Sequence, residues 1–341
     1  MSTERATAFA SYHGVRASLT SRQLVAEEYP AAELHGVSGG YRSTAAYTHF
    51  KRRLNDSDYL AAWRAPLRDT CRALIARAAA KGVFCVVRDY AHPLMLEVTA
   101  RLVSATVDDV ERWGSRLAAL ADAGADHLAA ARVVAAELHG HVCRQLAVPS
   151  LDPCSLLGDP ALGGLPTEGV VNATTVMLAA GHHTTADMIG NAVVALLESG
   201  SPLSAVRDDP TFPDRIVEEA LRFDPSVPIV ERTVVAPCEI DGAVLHPGAR
   251  VELSLVGANR DPAACPHGAT FVPDAQPTRH LAFGLGASYC IGSSLARLCL
   301  REAVHALAHG IADGRLVPGS VVWKPPGALR GPATASIEVR Q

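Results

Sequence analysis

Hydrophobic and polar positions recur with two different periods along this chain, and the change falls after Pro225. Before it the spacing is helical. Residues 8–22 predict a short helix, and residues 42–80 predict helices rich in Arg and Lys with a break near Asn55 to Asp58. Within that region, 67–81 read as an Ala- and Arg-rich amphipathic helix. Residues 86–104 are more apolar, with Pro93 near the start, and 107–123 and 125–145 predict two further helices. The segment "PSLDPCSLLGDPALGGLP" is a loop by its Pro and Gly content. A long helix follows over 167–199, with Thr167 as its N-cap and Gly200 as its stop. At full length it would span roughly 45 Å. Residues 213–223 predict another helix. Beyond Pro225 the period becomes two: "VERTVV", "CEIDGAVL" and "ARVELSLVG" alternate, with turns at "IDGA" and "HPGA". Residues 260–279 are irregular, a last helix covers about 292–309, and the tail is β-rich. A mostly helical chain with a small sheet segregated in sequence is an α+β pattern, read here as a single domain over 1–341.

Composition narrows the class. A chain of 341 residues, 48% hydrophobic and 19% charged, buries a large core and is not disordered. A formal charge of -4 gives no sign of a nucleic-acid partner. The first twenty residues hold no apolar stretch of signal-peptide type. The most apolar run, 170–197, is interrupted by "GHHTTAD", which suits a buried helix and not a membrane span. Eight cysteines without CxxC pairs argue for a reducing, cytoplasmic setting and against a disulfide framework or a zinc cluster.

One cysteine stands apart. In "HLAFGLGASYCIGSSLAR", residues 280–297, Cys290 lies between glycines and a helix start. Gly284, Gly286 and Gly292 remove side chains on both sides, so a flat group can approach the backbone. The N–H groups of the following helix point back at the sulfur and favour a thiolate. Such a thiolate suits a metal ligand or a nucleophile, although no histidine stands close in sequence to serve as base. A buried, inert cysteine is the plain alternative, and the one adopted for the other seven.

"FGLGASYCIG" resembles the haem-binding signature of the cytochrome P450 superfamily, F-G-x-G-x-[HR]-x-C-x-G, at Phe283, Gly284, Gly286, Cys290 and Gly292. Three more segments follow the family's order. "EEALRF" matches E-x-x-R at Glu219 and Arg222, three apart on one helix face. "AAGHHTT" is similar to the oxygen-binding groove pattern [AG]-G-x-[DE]-T-[TS], with Gly181 allowing a local widening of the helix and Thr184 as the groove alcohol. A mid-helix Thr also bonds back to a carbonyl, the simpler reading of that segment alone. Arg232 and His280 match positions that bind haem propionates, and Lys51 or Arg52, in a segment similar to the C helix, would add a further contact. The resemblance implies a bacterial-type fold with a long helix over haem b, Cys290 as the iron ligand, and an N-terminus lacking the usual first helix and strands. It also implies an acidic ferredoxin as electron donor, received on a basic face for which Lys51, Arg52, Arg53 and Arg297 are candidates.

Several positions depart from the family pattern. His183 replaces the acid before the groove alcohol, although histidine can also relay protons near neutral pH. Ser288 stands where a His or Arg would meet a propionate, and 268–280 contain no convincing third arginine for the Glu219–Arg222 pair, since Arg279 lies too close to His280. The leading expectation is a monooxygenase or oxidase of an organic substrate from natural-product biosynthesis, free or tethered to a carrier or peptide, working away from membranes. Peroxide-driven or non-redox haem chemistry, and a non-catalytic helper of a partner enzyme, are the alternatives. Substrate choice would rest on residues 25–45, "AEEYPAAELHGVSGGYRST" being glycine-containing, and on the long helix.

Overall fold

The computed structural model describes residues 7–26, 41–119, 127–274 and 279–340. The short segment after the first strand, β1 (Thr7–Phe9), forms helix α1 (Tyr12–Thr20), so the helix expected from residue 8 begins four residues later. Ser11 sets that start: its side chain accepts the Gly14 N–H at 2.9 Å. The expected break in the basic region is also a cap. Helix α2 (Ala45–Arg53) ends, Asp56 accepts the Tyr59 N–H at 2.9 Å, and α3 (Ser57–Ala79) begins. A wide, π-type turn over Val87–Ala91 leads into α4 (His92–Leu102), with Pro93 in the first turn where its missing N–H costs nothing. Helices α5 (Val107–Ala119) and α6 (His127–Ala147) follow.

Helix α7 (Thr167–Glu198) is the axis of the molecule. It is buried along most of its length and contacts α2, α4, α5 and α6. Pro166 precedes it and Thr167 is its first helical residue, so Thr167 does not cap it; Gly200, at φ +72°, ends it as expected. The helix runs unbroken through Gly181, without the local widening expected there. Helices α8 (Leu203–Asp208) and α9 (Phe212–Phe223) complete the first part. No helix among the described residues is long and apolar enough to cross a membrane.

The alternating segments form strands β4 (Ile229–Val234) and β7 (Arg250–Ser254), with the hairpin β5 (Cys238–Ile240) and β6 (Ala243–Leu245) between them. With β2 (Leu24–Val25) they build a sheet in the order β1-β7-β4-β2, in which β1 is parallel to β7 and the other pairs are antiparallel. The end of "ARVELSLVG" departs from expectation: Leu255–Asn259 is a helical turn, α10, capped by Ser254. Helix α11 (Ser293–Gly310) packs along α3 and touches α7. A smaller sheet joins β3 (Val83–Cys85), β9 (Ser336–Arg340) and β8 (Asp313–Leu316). The described residues form two hydrophobic cores. One lies among the helices; the other lies between the four-stranded sheet, α1 and α10.

Candidate functional site

A cavity of about 290 Å³ opens where the two cores meet. Its wall is almost wholly uncharged: Met95, Val98, Met177, Met188, Val227 and Ile291 supply much of the apolar surface. Cys290, Phe283, Gly284, Ser288 and Gly292 form one side, and Gly181, Thr184 and Thr185 of α7 form another. Arg232 is the one charged residue among the described lining residues.

The cysteine loop is held by its backbone. The Cys290 N–H donates to the Phe283 carbonyl at 2.9 Å. Gly284 and Gly286 sit at φ +69° and +70°, a region that disfavours any side chain. A Cβ on Gly286 would also lie 3.0 Å from the Leu19 carbonyl, so this glycine packs the loop on α1 and is not part of the wall. Gly292 is different: open space lies where its Cβ would be, as it does at Gly181. Arg297, one turn into α11, places its guanidinium 4.6 Å over the Phe283 ring and donates to Glu218 at 2.6 and 3.1 Å. It therefore braces the loop and is not a free basic residue for a partner.

Burial raises the Cys290 thiol above its usual range, while the Gly292 N–H and the Arg297 charge oppose that rise. The helix start therefore does not by itself make a thiolate, as its dipole had suggested. A cation bound at the sulfur would.

Arg232 lies on β4 with Val230, two residues apart, so both point to the cavity. It is buried, its guanidinium donates to the Glu231 carbonyl at 2.7 Å, and no carboxylate pairs with it among the described residues. Burial and the charge of nearby Arg42 hold its guanidinium below the ordinary arginine range. An acidic group in the cavity would relieve that cost. Glycines that leave space, a thiol on one wall and a buried cation on another together fit a flat, acidic, iron-bearing group.

Other expected contacts lie elsewhere. His280 is outside the wall: its Nε2 is 3.1 Å from Glu218, and this pair ties the loop to α9. Against the upward push of burial, hydrogen bonds from His280 and Arg297 hold Glu218 down at about 2. Lys51 and Arg52 are also outside the wall; Arg52 is exposed and meets the His49 ring at 3.2 Å. Arg53 pairs with Asp159 at 3.7 Å and lies 4.7 Å over the Tyr59 ring. Of the expected substrate loop, residues 27–40 lie outside the described residues.

On α7, Thr184 lines the cavity while its hydroxyl donates to the Ala180 carbonyl at 2.7 Å; Thr185 does the same to Gly181 at 3.0 Å. Back-bonding and lining the site are thus both true of Thr184. His183 is not in the wall. Its ring packs against His182, with centroids 3.8 Å apart, and stacks on His92 at 5.9 Å and 16°. Beside them the buried Asp187 accepts from Lys324 Nζ at 2.7 Å on both oxygens. His92, Asp187 and Lys324 escaped the sequence reading. The available signal was Asp187, the lone carboxylate between Glu168 and Glu198 in an apolar helix, which demands a partner.

Burial lowers both His182 and His183 from 6.5 to about 4; the neighbouring His183 adds to the first shift, and His92 and Lys324 add to the second. Their folded values lie below the unfolded one, so the native state prefers them neutral. The stability this confers is complete above about pH 6.5 and is lost as pH falls towards 4. The loss is about 3 kcal/mol for the more buried His182 and roughly half that for His183, which solvent screens. We expect the urea midpoint to fall across that window, and to fall less steeply in His183→Gln. An unchanged pH slope in that variant would contradict the assignment.

The Glu219–Arg222 pair stands behind the loop. Arg222 donates to both Glu219 oxygens at 2.7 Å and to the carbonyls of Asn259, Gly268 and Thr270 at 3.0, 3.0 and 2.7 Å. Glu219 in turn accepts the Val272 N–H at 2.8 Å. Among the described residues no second arginine donates to Glu219; backbone from the irregular stretch takes that place.

A second, more polar cavity of about 400 Å³ lies between α3 and α4, lined by Trp63, Glu97, Arg101 and Asp152, and does not include Cys290.

The family model described as Cytochrome P450 matches residues 202–307. The cytochrome P450 monooxygenase PikC of Streptomyces venezuelae is 33% identical over 264 residues, 74% of this chain and 63% of PikC. The chain thus matches less than two thirds of the length of this curated relative. The structure of the LnmA cytochrome P450 hydroxylase from the leinamycin biosynthetic pathway of Streptomyces atroolivaceus superposes with a TM-score of 0.81 at 26% identity, covering 97% of this chain and 89% of that one. P450BioI in complex with hexadec-9Z-enoic acid ligated acyl carrier protein gives 0.85 at 21%, covering 98% and 92%. With Cys290 in its glycine frame, the buried Glu219–Arg222 pair and the long helix over the cavity, these similarities show that the chain belongs to the cytochrome P450 superfamily.

Proposed function

We propose that the chain is a haem-thiolate monooxygenase that inserts oxygen into an uncharged, largely aliphatic part of an organic substrate. The observation that carries this reading is Cys290 in the wall of an apolar cavity that Gly181, Thr184 and Thr185 of α7 also line. The cofactor is haem b, with Cys290 on the iron and Arg232 on an acidic side group. When bound, the haem supplies the redox chemistry in which O₂, two electrons and two protons convert R–H to R–OH and water.

The chain's residues have distinct parts in this. The Gly292 N–H and Arg297 favour the charged sulfur over the thiol. Gly181 leaves room over the cofactor, and Thr184 offers a hydroxyl at the cavity edge. Methionine, valine and leucine side chains exclude water and orient an apolar substrate group. A natural-product substrate is supported by the relation to LnmA, and a carrier-linked one by the acyl carrier protein bound to P450BioI. A ferredoxin system is the electron donor.

The test is the carbon-monoxide difference spectrum of the dithionite-reduced, haem-supplied protein. A strongly red-shifted Soret band is expected. Haem bound without that shift would overturn the thiolate assignment, and no haem at all would favour a non-catalytic helper.

A further inference from the structure

The cavity of about 400 Å³ between α3 and α4 has no part in the function proposed above, yet it has the size of a small-molecule site. Helix α4 is the partition between the two cavities. Val98 lines both, Met95 and Leu102 line only the cofactor side, and Glu97 and Arg101 line only the other. The deepest part of the second cavity is apolar, with Trp63 and Leu67 of α3 each 1% exposed. Its mouth is polar and reaches solvent at the exposed Glu97 and Arg101. Ser104, also in the wall just past α4, sits at φ +51°, where glycine is the usual residue. Its Oγ lies 2.6 Å from Ser155 Oγ, which ties the end of α4 to the segment that closes the cavity. The charges of the wall do not cancel. Arg101 pairs with Asp152 at 3.1 Å, whereas Glu97 pairs with no cation among the described residues. Apolar surface continues past the mouth: Val107 lines it and is exposed, and Leu151, between the lining residues Ser150 and Asp152, is 99% exposed.

We propose that this cavity is a second binding site, which takes a small organic ammonium ion with an apolar body. The body lies against Trp63, Leu67 and Val98, and the cationic head stays at the mouth beside Glu97. An aromatic wall together with a carboxylate is the combination that recognises such cations. An anionic ligand is opposed by Glu97, because the charge of Arg101 is already met by Asp152. A metal ion does not suit the site either: among the described residues no three His, Cys, Asp or Glu side chains converge as ligands. Burial of the apolar body supplies affinity, and the single unpaired carboxylate supplies the preference for positive charge. The site does not include Cys290 and does not depend on the monooxygenase reading.

The probe is benzyltrimethylammonium, whose quaternary nitrogen has no lone pair to offer iron. It is titrated into the full haem-supplied chain in its reduced carbon-monoxide form, and the tryptophan indole N–H resonances are followed by NMR. The chain has three tryptophans, so Trp63→Phe assigns the Trp63 signal. That signal should move saturably at millimolar probe while the Soret band stays in place. Glu97→Gln, a change at an exposed position, should raise the Kd about five-fold. Thr70→Phe, on the half-buried α3 wall, fills the cavity and should abolish the response. Neopentylbenzene, the uncharged isostere of the probe, should leave the signal where it is. A Trp63 signal that stays still in the wild type, or that responds equally in Glu97→Gln or to neopentylbenzene, overturns the proposal. A Soret shift without a Trp63 response places the probe in the cofactor cavity and overturns it as well. If Thr70→Phe does not fold, Glu97→Gln decides alone. Failure of the monooxygenase reading shows separately, as a missing red-shifted carbon-monoxide band before any probe is added.

Discussion

Cys290→Ser retains its fold and its cavity, yet its reduced carbon-monoxide complex lacks the red-shifted Soret band: that is the expected result with the largest functional effect. The substitution changes one atom. The serine oxygen occupies nearly the same place, and the Cys290 backbone bond to Phe283 does not involve the side chain. The surroundings select sulfur as ligand for physical reasons. Burial alone raises the thiol, so the thiolate forms only with a cation beside it; the Gly292 N–H and the Arg297 guanidinium then add to its preference. A serine hydroxyl is far less acidic and is left neutral by the same groups. A variant that kept the full red shift would place the iron ligand elsewhere in the chain.

The largest effect on stability is expected from Arg222→Ala. Arg222 is 1% exposed and Glu219 is 8% exposed, so the pair is sealed from water. Removing the guanidinium strands a buried carboxylate and three backbone carbonyls that it now satisfies. Breaking a buried pair by deleting one partner typically costs about 3–5 kcal/mol. Here the loss also frees the stretch from Asn259 to Thr270 from α9. Arg222→Lys should recover little of it, because a single ammonium cannot reproduce a bidentate contact and three further bonds. Urea unfolding of the two variants beside wild type decides the matter. A loss below about 1 kcal/mol would mean that the pair behaves as an exposed one.

Much of this protein is legible in its local pattern. The α+β order, the break at Asp56, the long helix ending at Gly200 and the hairpin at "IDGA" all follow from periodicity, caps and turn residues, which act over a few positions. The glycine frame of Cys290 and the three-residue spacing of Glu219 and Arg222 are local too, and both lie where the motifs put them. Errors of detail came where two local signals competed. Thr167 has the chemistry of a cap, but Pro166 already holds the extended conformation before the helix. The end of "ARVELSLVG" follows a strand pattern, yet Ser254 caps a helical turn over Leu255–Asn259.

What the tertiary structure alone decided is which charge meets which. His280 and Arg297 have the composition of propionate or partner contacts, but α9 brings Glu218 between them. His183 sits in a cavity-lining motif and still turns to His92, because successive residues of a helix point about 100° apart. Asp187 finds Lys324 across 137 positions, and Arg222 finds its missing partner in backbone carbonyls that no residue type announces. Local sequence determined the elements and the cysteine cradle, because those depend on near neighbours. The electrostatic partners were decided only by packing, because burial makes each charge take the nearest group that can satisfy it, however distant in the chain.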